Sequence, residues 1–145
     1  MKAITNKNHK GFSLVELITV VAIIAIIMAY AIPAYRDYVV RSKASECLPV
    51  STTAKLEVSQ FWLAQNTLPN SNADVFLPVP SSFATDNIDN IEVIADGVIV
   101  CSYNNNDSDL SGNSISLTPT VANGNLSWAC SANGLEPAHI PDECD

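Results

Sequence analysis

Gly11-Phe12-Ser13-Leu14-Val15-Glu16 separates two parts of the chain with opposite solvent preferences. Before it lies a short leader carrying Lys2, Lys7 and Lys10. After it, from Phe12 through Ala34, 23 residues hold a single charge, Glu16. As a helix that run rises about 34 Å, long enough to span a bilayer. Its many Ile and Val residues are modest helix formers in water, but in lipid an unpaired backbone amide has no water to bond, which enforces the helix. A lone carboxylate in such surroundings is costly, so it calls for a cationic partner able to enter the same environment. Cleavage after Gly11 would create one, the α-amino group of Phe12, offered by a neighbouring subunit. These residues imply a processed, membrane-anchored chain that assembles through its N-terminal helix.

A competing reading of the same stretch is an ordinary secretory signal. Leu14–Met28 would be its apolar core and Ala29-Tyr30-Ala31 its cleavage site, releasing a soluble periplasmic binding module that begins at Ile32. Glu16 inside the core of such a signal argues against it. A permanent membrane anchor is a stage of the first reading, because an assembling subunit has to wait in the membrane.

Pro33 removes a helical hydrogen bond and is expected to kink the helix where it leaves the apolar run. Beyond it, Val40, Ala44, Cys47, Ala54, Val58 and Phe61 recur at steps of about three and four, which places them on one helix face. Pro49 is expected to add a second bend. The helix should end near Asn66, ahead of the turn-rich Leu68-Pro69-Asn70-Ser71-Asn72. Two hairpins follow. Ile91–Ala95 and Val98–Tyr103 flank Asp96-Gly97, and Ser114–Thr120 and Asn125–Ser131 are joined around Asn123-Gly124. Four antiparallel strands across a long helix make an α+β chain. The apolar half of the helix should protrude and the amphipathic half pack on the sheet. The expected organisation is a leader at 1–11, a membrane and assembly helix at 12–34, an amphipathic stem at 35–66 and a head at 67–145.

Charge is distributed unevenly. Losing residues 1–11 takes the formal net charge from −8 to −11. Every remaining Lys and Arg lies at or before Lys55, while the 90 residues from Leu56 to Asp145 hold 12 carboxylates and no Lys or Arg. Such a head repels phosphate, which argues against direct DNA binding. Acidic heads could meet Arg36, Arg41, Lys43 and Lys55 of neighbouring stems, or simply form a solvated surface. Asp107, Asp109, Ser111 and Gly112 match half of a calcium loop, but Thr118 stands where the bidentate glutamate belongs, so the segment reads as a polar exposed loop without metal. No cofactor is implied. With His9 in the leader and only His139 beyond it, and no nucleophile elbow, phosphate loop or His-Glu-x-x-His, the chain reads as structural and not as an enzyme.

Cys47, Cys101, Cys130 and Cys144 lie on the exported side of the apolar run, which favours disulfides. Of three possible connectivities, Cys47–Cys101 with Cys130–Cys144 is preferred. The first would staple the helix's packing face to the second strand, and the second would close a C-terminal loop worth about 3 kcal/mol in the chain-entropy model. Zinc held by His139 and cysteines is a weaker rival, because the spacing does not suit a compact site and oxidised thiols cannot ligate.

The stretch Lys10-Gly11-Phe12-Ser13-Leu14-Val15-Glu16-Leu17, with its basic leader and following apolar run, resembles the N-terminal motif of type IV pilins, of the short-leader type IVa group. The detailed match covers about the first third of the chain, and the remainder matches in layout. The resemblance implies a major pilin. A prepilin peptidase would cleave after Gly11, Phe12 would be N-methylated, and inner-membrane assembly machinery would polymerise the subunit with copies of itself into a surface filament. It implies Phe12 and Glu16 as the assembly pair, and a filament serving adhesion to host or abiotic surfaces, surface motility and DNA uptake. A pseudopilin or minor pilin of a secretion or competence system is the alternative within the superfamily. Similar chains often carry a glycine in the apolar run that eases unwinding, where this one has Ala25. In type IV pilins a C-terminal disulfide loop, here Ser131 to Glu143, borders the region that varies between strains.

Overall fold

The computed structural model describes residues 11–144, so the leader residues 1–10 and Asp145 lie outside the described part. Two compact units divide at Arg36 and Asp37. The first is helical. Helix α1 spans Leu14–Ala44, and every residue from Gly11 to Arg36 is exposed. An 18-residue window of this helix has mean hydropathy 2.6, and it is the one helix among the described residues long and apolar enough to cross a membrane. Pro33 sits inside α1, which stays helical through it although Pro33 has no N–H to donate.

In the second unit α1 gives way to a four-residue helix, α2, at Cys47–Val50 and then to α3 at Thr52–Gln65. The interruption falls at Ser45–Glu46 and has a local cause. Pro49 cannot donate to the carbonyl of Ser45, which instead takes the N–H of Leu48 at 3.1 Å. That turn tightens the helix and strips the carbonyl of Ala44 of its usual partner. The hydroxyl of Tyr103 replaces it, donating at 2.7 Å in a buried bond. Burial, and then the nearby Glu46, holds the Tyr103 hydroxyl above its ordinary range, so it remains a donor. Asn66 ends α3 in a left-handed conformation, its N–H on the carbonyl of Trp62 at 2.8 Å.

Four strands form one antiparallel sheet in sequence order: β1 Ile88–Val93, β2 Ile99–Tyr103, β3 Ser114–Ala122 and β4 Asn125–Asn133. Both hairpin turns place an Asx residue and a glycine at positive φ, Asp96 (61°) with Gly97 (68°) and Asn123 (52°) with Gly124 (76°), as the twist of adjoining strands favours. Gly97 is also required by space, since a Cβ there would sit 3.3 Å from Val58, Leu68 and Pro119. The first strand starts three residues earlier than the pattern of alternation suggests. Ile88 and Ile91 are both buried although three apart, because the register shifts between Ile88 and Asn90 and the irregularity restores Ile88 to the inner face.

The core joins the inner faces of β1, β2 and β3 to one helix face. Ile88, Ile91, Val93, Ile99, Cys101, Ile115 and Leu117 pack with Val40, Ala44, Cys47, Ala54 and Val58. Cys47–Cys101 ties the start of α2 to β2, and Cys130–Cys144 ties β4 to the C-terminal turn Asp142–Cys144. The outer edge of β1 is closed by a buried side chain. Asn72 accepts from the N–H of Val93 at 2.6 Å and donates to the carbonyls of Ile91 (3.2 Å) and Pro78 (3.0 Å). Replacing Asn72 by Ala strands the Val93 amide and the Ile91 carbonyl, at about 1–3 kcal/mol for each buried group left unpaired. Urea denaturation of the solubilised chain should show a drop in midpoint, with no change expected for the exposed Asn125→Ala.

Candidate assembly site

The side chains singled out at the N-terminus lie together on the first turn of α1. Ser13 immediately precedes the helix, and Glu16 occupies its third position. They bond reciprocally: the Ser13 N–H donates to Glu16 Oε2 at 2.9 Å, and the Glu16 N–H donates to Ser13 Oγ at 3.2 Å. This is a capping box, which satisfies two of the amides that a helix start leaves orphaned. A carboxylate here also faces the positive end of the helix dipole. The lone charge of Glu16 does not by itself point to Ser13. The signal that reveals it is Ser-x-x-Glu directly ahead of an apolar run. One turn on, the Thr19 hydroxyl donates to the Val15 carbonyl at 2.8 Å, so another polar group in the run is satisfied within the helix. Gly11 and Phe12 stand just before the cap, both exposed.

In the second unit the polar side of α1 holds the loops that follow the strands. Arg41 donates to the carbonyl of Ala138 through Nε (3.0 Å) and Nη2 (2.8 Å) and pairs with Asp142 at 3.2 Å. His139 is buried, with Nε2 3.4 Å from Asp37 Oδ1. Lys43 pairs with Asp107 at 2.6 Å, and Asp107 also accepts from the Asp109 N–H at 3.1 Å. Arg41 and Lys43, two of the cations considered for acidic heads of neighbouring stems, both meet carboxylates of their own chain. The half calcium loop has a second explanation, since Asp107 is occupied by Lys43 and by its own turn. Among the described residues no group of three or more His, Cys, Asp or Glu is placed to hold a metal.

Comparison with known proteins is decisive at this point. The pilin (bacterial filament) family matches residues 40–145, and the prokaryotic N-terminal methylation motif matches residues 6–32. The chain belongs to the type IV pilin family. Among similar proteins, the fimbrial protein EcpC of Eikenella corrodens is 32% identical, over 94% of this chain and 90% of its own. A fimbrial protein of Neisseria meningitidis serogroup B is 31% identical, over 96% of this chain and 95% of its own. The type IV major pilin protein PilE of Neisseria gonorrhoeae is 31% identical, over 86% of this chain and 75% of its own. This type IV pilin is thus a structural subunit of a surface pilus, a family whose members self-assemble into filaments and are not enzymes. The long N-terminal helix, four-stranded antiparallel sheet and C-terminal disulfide form the α+β pilin fold.

The Lys43–Asp107 pair makes a testable contribution to pilin stability. The Lys43 hydrogen bond, followed by that from the Asp109 amide, holds the Asp107 carboxyl below its ordinary range. A lowered folded pKa means the unfolded chain binds the proton first. The pair therefore stabilises above an unfolded value of about 3.9, and that stabilisation is lost as pH falls through the lower folded value. Lys43→Met should flatten the fall of the urea midpoint below about pH 4 relative to the unsubstituted chain. Midpoints measured between neutral and strongly acidic pH decide it.

Proposed function

We propose that this pilin is cleaved after Gly11 by a prepilin peptidase, N-methylated on Phe12, and polymerised by pairing the Phe12 amine of an incoming subunit with Glu16 of its neighbour. The observation that carries this reading is Glu16 itself, the one charge in the exposed apolar run from Phe12 through Ala34. On this reading residues 12–34 serve first as a membrane anchor and then as the filament's assembly helix. Residues 35–66 form the stem and residues 67–145 the outward head. Pro33, at the end of the assembly helix, and Pro49, within the stem, are the kinks of the helix. Inner-membrane machinery extracts the subunit, and the finished filament serves adhesion to host or abiotic surfaces and motility. The 11 carboxylates of the head argue that any DNA uptake is driven by the filament without direct capture by this subunit.

In a dry bundle an unpaired Glu16 is costly, so the pairing penalises wrong axial register as much as it adds affinity. Intact mass and N-terminal sequencing of sheared surface material should return a chain starting at N-methylated Phe12. A start at Ile32 would instead mean ordinary signal cleavage and loss of the assembly helix. Glu16→Ala should insert normally into the membrane yet yield few or no filaments by electron microscopy. Glu16→Gln keeps the cap's shape but lacks the charge, and should share the defect. Abundant normal filaments from Glu16→Gln would sink the charge-pairing mechanism.

A further inference from the structure

One residue of the head holds a backbone conformation that its side chain disfavours. The turn Ala73–Val75 ends at Phe76, with φ 55° and ψ 22°. The Phe76 N–H donates to the Ala73 carbonyl at 3.3 Å, and the Leu77 N–H to the Asn72 carbonyl at 2.9 Å. That pair of bonds is the Schellman closure of a helical turn, whose left-handed position ordinarily holds glycine. For a bulky side chain a positive φ is an outlier, and such strain clusters at binding and switch sites. The ring gains little from the fold in return, since Phe76 is 95% exposed. The platform beneath it is fixed: Asp74 accepts from the Asn70 N–H at 2.8 Å, and Asn72 is the buried clasp of β1. Phe76 is therefore an aromatic displayed on a rigid turn, with the carboxylates of Asp74 and Glu57 beside it.

The other flank of α3 carries the complement. Lys55 and Glu57, two residues apart, project from opposite sides of the helix. Glu57 borders the Phe76 turn, which lies beyond the outer edge of β1. Lys55 lines a cleft of about 360 Å³ beside β3 and β4, with Leu48, Pro49, Leu117, Trp128 and Glu143. A cleft of that size admits an aromatic ring. From Asp37 onward Lys55 is the one Lys or Arg that forms no ion pair among the described residues, Arg41 and Lys43 being taken by Asp142 and Asp107. Glu143 stands in the same cleft without pairing with it. One edge of the head thus presents an aromatic with acidic neighbours, and the other an apolar cleft with an uncommitted cation.

We propose that Phe76 of one subunit seats in the cleft formed by Leu48, Pro49, Leu117 and Trp128 of the next, where Lys55 meets the incoming Glu57 and Asp74. The occupant is a second copy of this chain in the same filament. The proposal rests on the assembly reading above, to which it adds a specific contact between heads. Shape points to that occupant: the two surfaces differ and lie at opposite edges of the sheet. Such a heterologous contact continues from copy to copy as a helix, where a two-fold contact would close at two. Charge points the same way, because Lys55 is unpaired within its own head and the flank around Phe76 is acidic. An aromatic ring in a desolvated pocket, with charges at the rim, is also how interfaces concentrate their binding energy.

The test uses cells making the full chain, with sheared filaments measured as a fraction of total subunit. Phe76→Gly removes the ring but suits the left-handed backbone, so the urea midpoint of the solubilised chain should hold or rise. Filament yield should nevertheless fall about tenfold, as truncation of a central aromatic anchor implies. Lys55→Glu and Glu57→Lys should each reduce the yield. The two together restore opposite charges across the contact and should regain it. With the photoreactive p-benzoylphenylalanine at position 76, illuminated filaments should give a ladder of multimers joined to the cleft residues of another subunit. Normal filament yield from Phe76→Gly would overturn the proposal, as would a double variant no better than its parents or cross-links to any other surface. A lowered urea midpoint in Phe76→Gly would also overturn it, by making the ring part of the fold. Failure of the unsubstituted chain to form filaments at all would refute the assembly reading itself.

Discussion

An apolar helix that nothing in its own unit covers is the constraint on which the rest depends. Every residue from Gly11 to Arg36 is exposed, and the window is apolar enough for a bilayer. Burial of apolar area contributes about 25 cal/mol per Å², so leaving this run in water is prohibitive. Lipid or other copies of the helix can cover it, and assembly into a filament supplies the second. The polar groups of the run are already satisfied internally, Glu16 and Ser13 by their reciprocal cap and Thr19 by the preceding turn.

The head follows from how one helix interruption is resolved. Pro49 forces a tight turn at Ser45–Glu46, the turn frees the carbonyl of Ala44, and Tyr103 on β2 fills the vacancy. Cys47, one residue beyond the turn, reaches Cys101 on the same strand, with Cα atoms 6.0 Å apart. A backbone break that would otherwise weaken the helix thus becomes the point where helix and sheet are locked together. Arg41, Lys43 and Asp37 on the other side of the helix hold the loops after β2 and β4. Two of the four cations beyond residue 11, Arg41 and Lys43, thus pair with the chain's own carboxylates.

Periodicity made most of this fold legible. The helix positions at steps of three and four from Val40 to Val58 are buried, and the Asp96-Gly97 and Asn123-Gly124 turns place their residues at positive φ as hairpin chemistry demands. Glu16 was legible as an anomaly, a charge where none belongs. Other features were not legible because they depend on neighbours distant in sequence. The early start of β1 rests on an irregularity that no alternation pattern shows. The role of Asn72 depends on a strand about 20 residues away. The pairing of Arg41 and Lys43 within the chain depended on where the loops fold back, which charge counts alone cannot locate. Ser13 is the exception, since its capping-box spacing stood in plain view beside the more conspicuous glutamate.

The reciprocal bond between Ser13 and Glu16 has a consequence for how a filament could come apart. A carboxylate with a partner inside its own helix keeps a hydrogen bond when no neighbour is present, although its charge is still uncompensated. On the proposed pairing, joining the filament is then an exchange of one set of hydrogen bonds for a charge-assisted contact, and leaving it is the reverse exchange. Neither direction passes through a carboxylate that has lost every hydrogen bond, which lowers the barrier to withdrawal along with the barrier to entry.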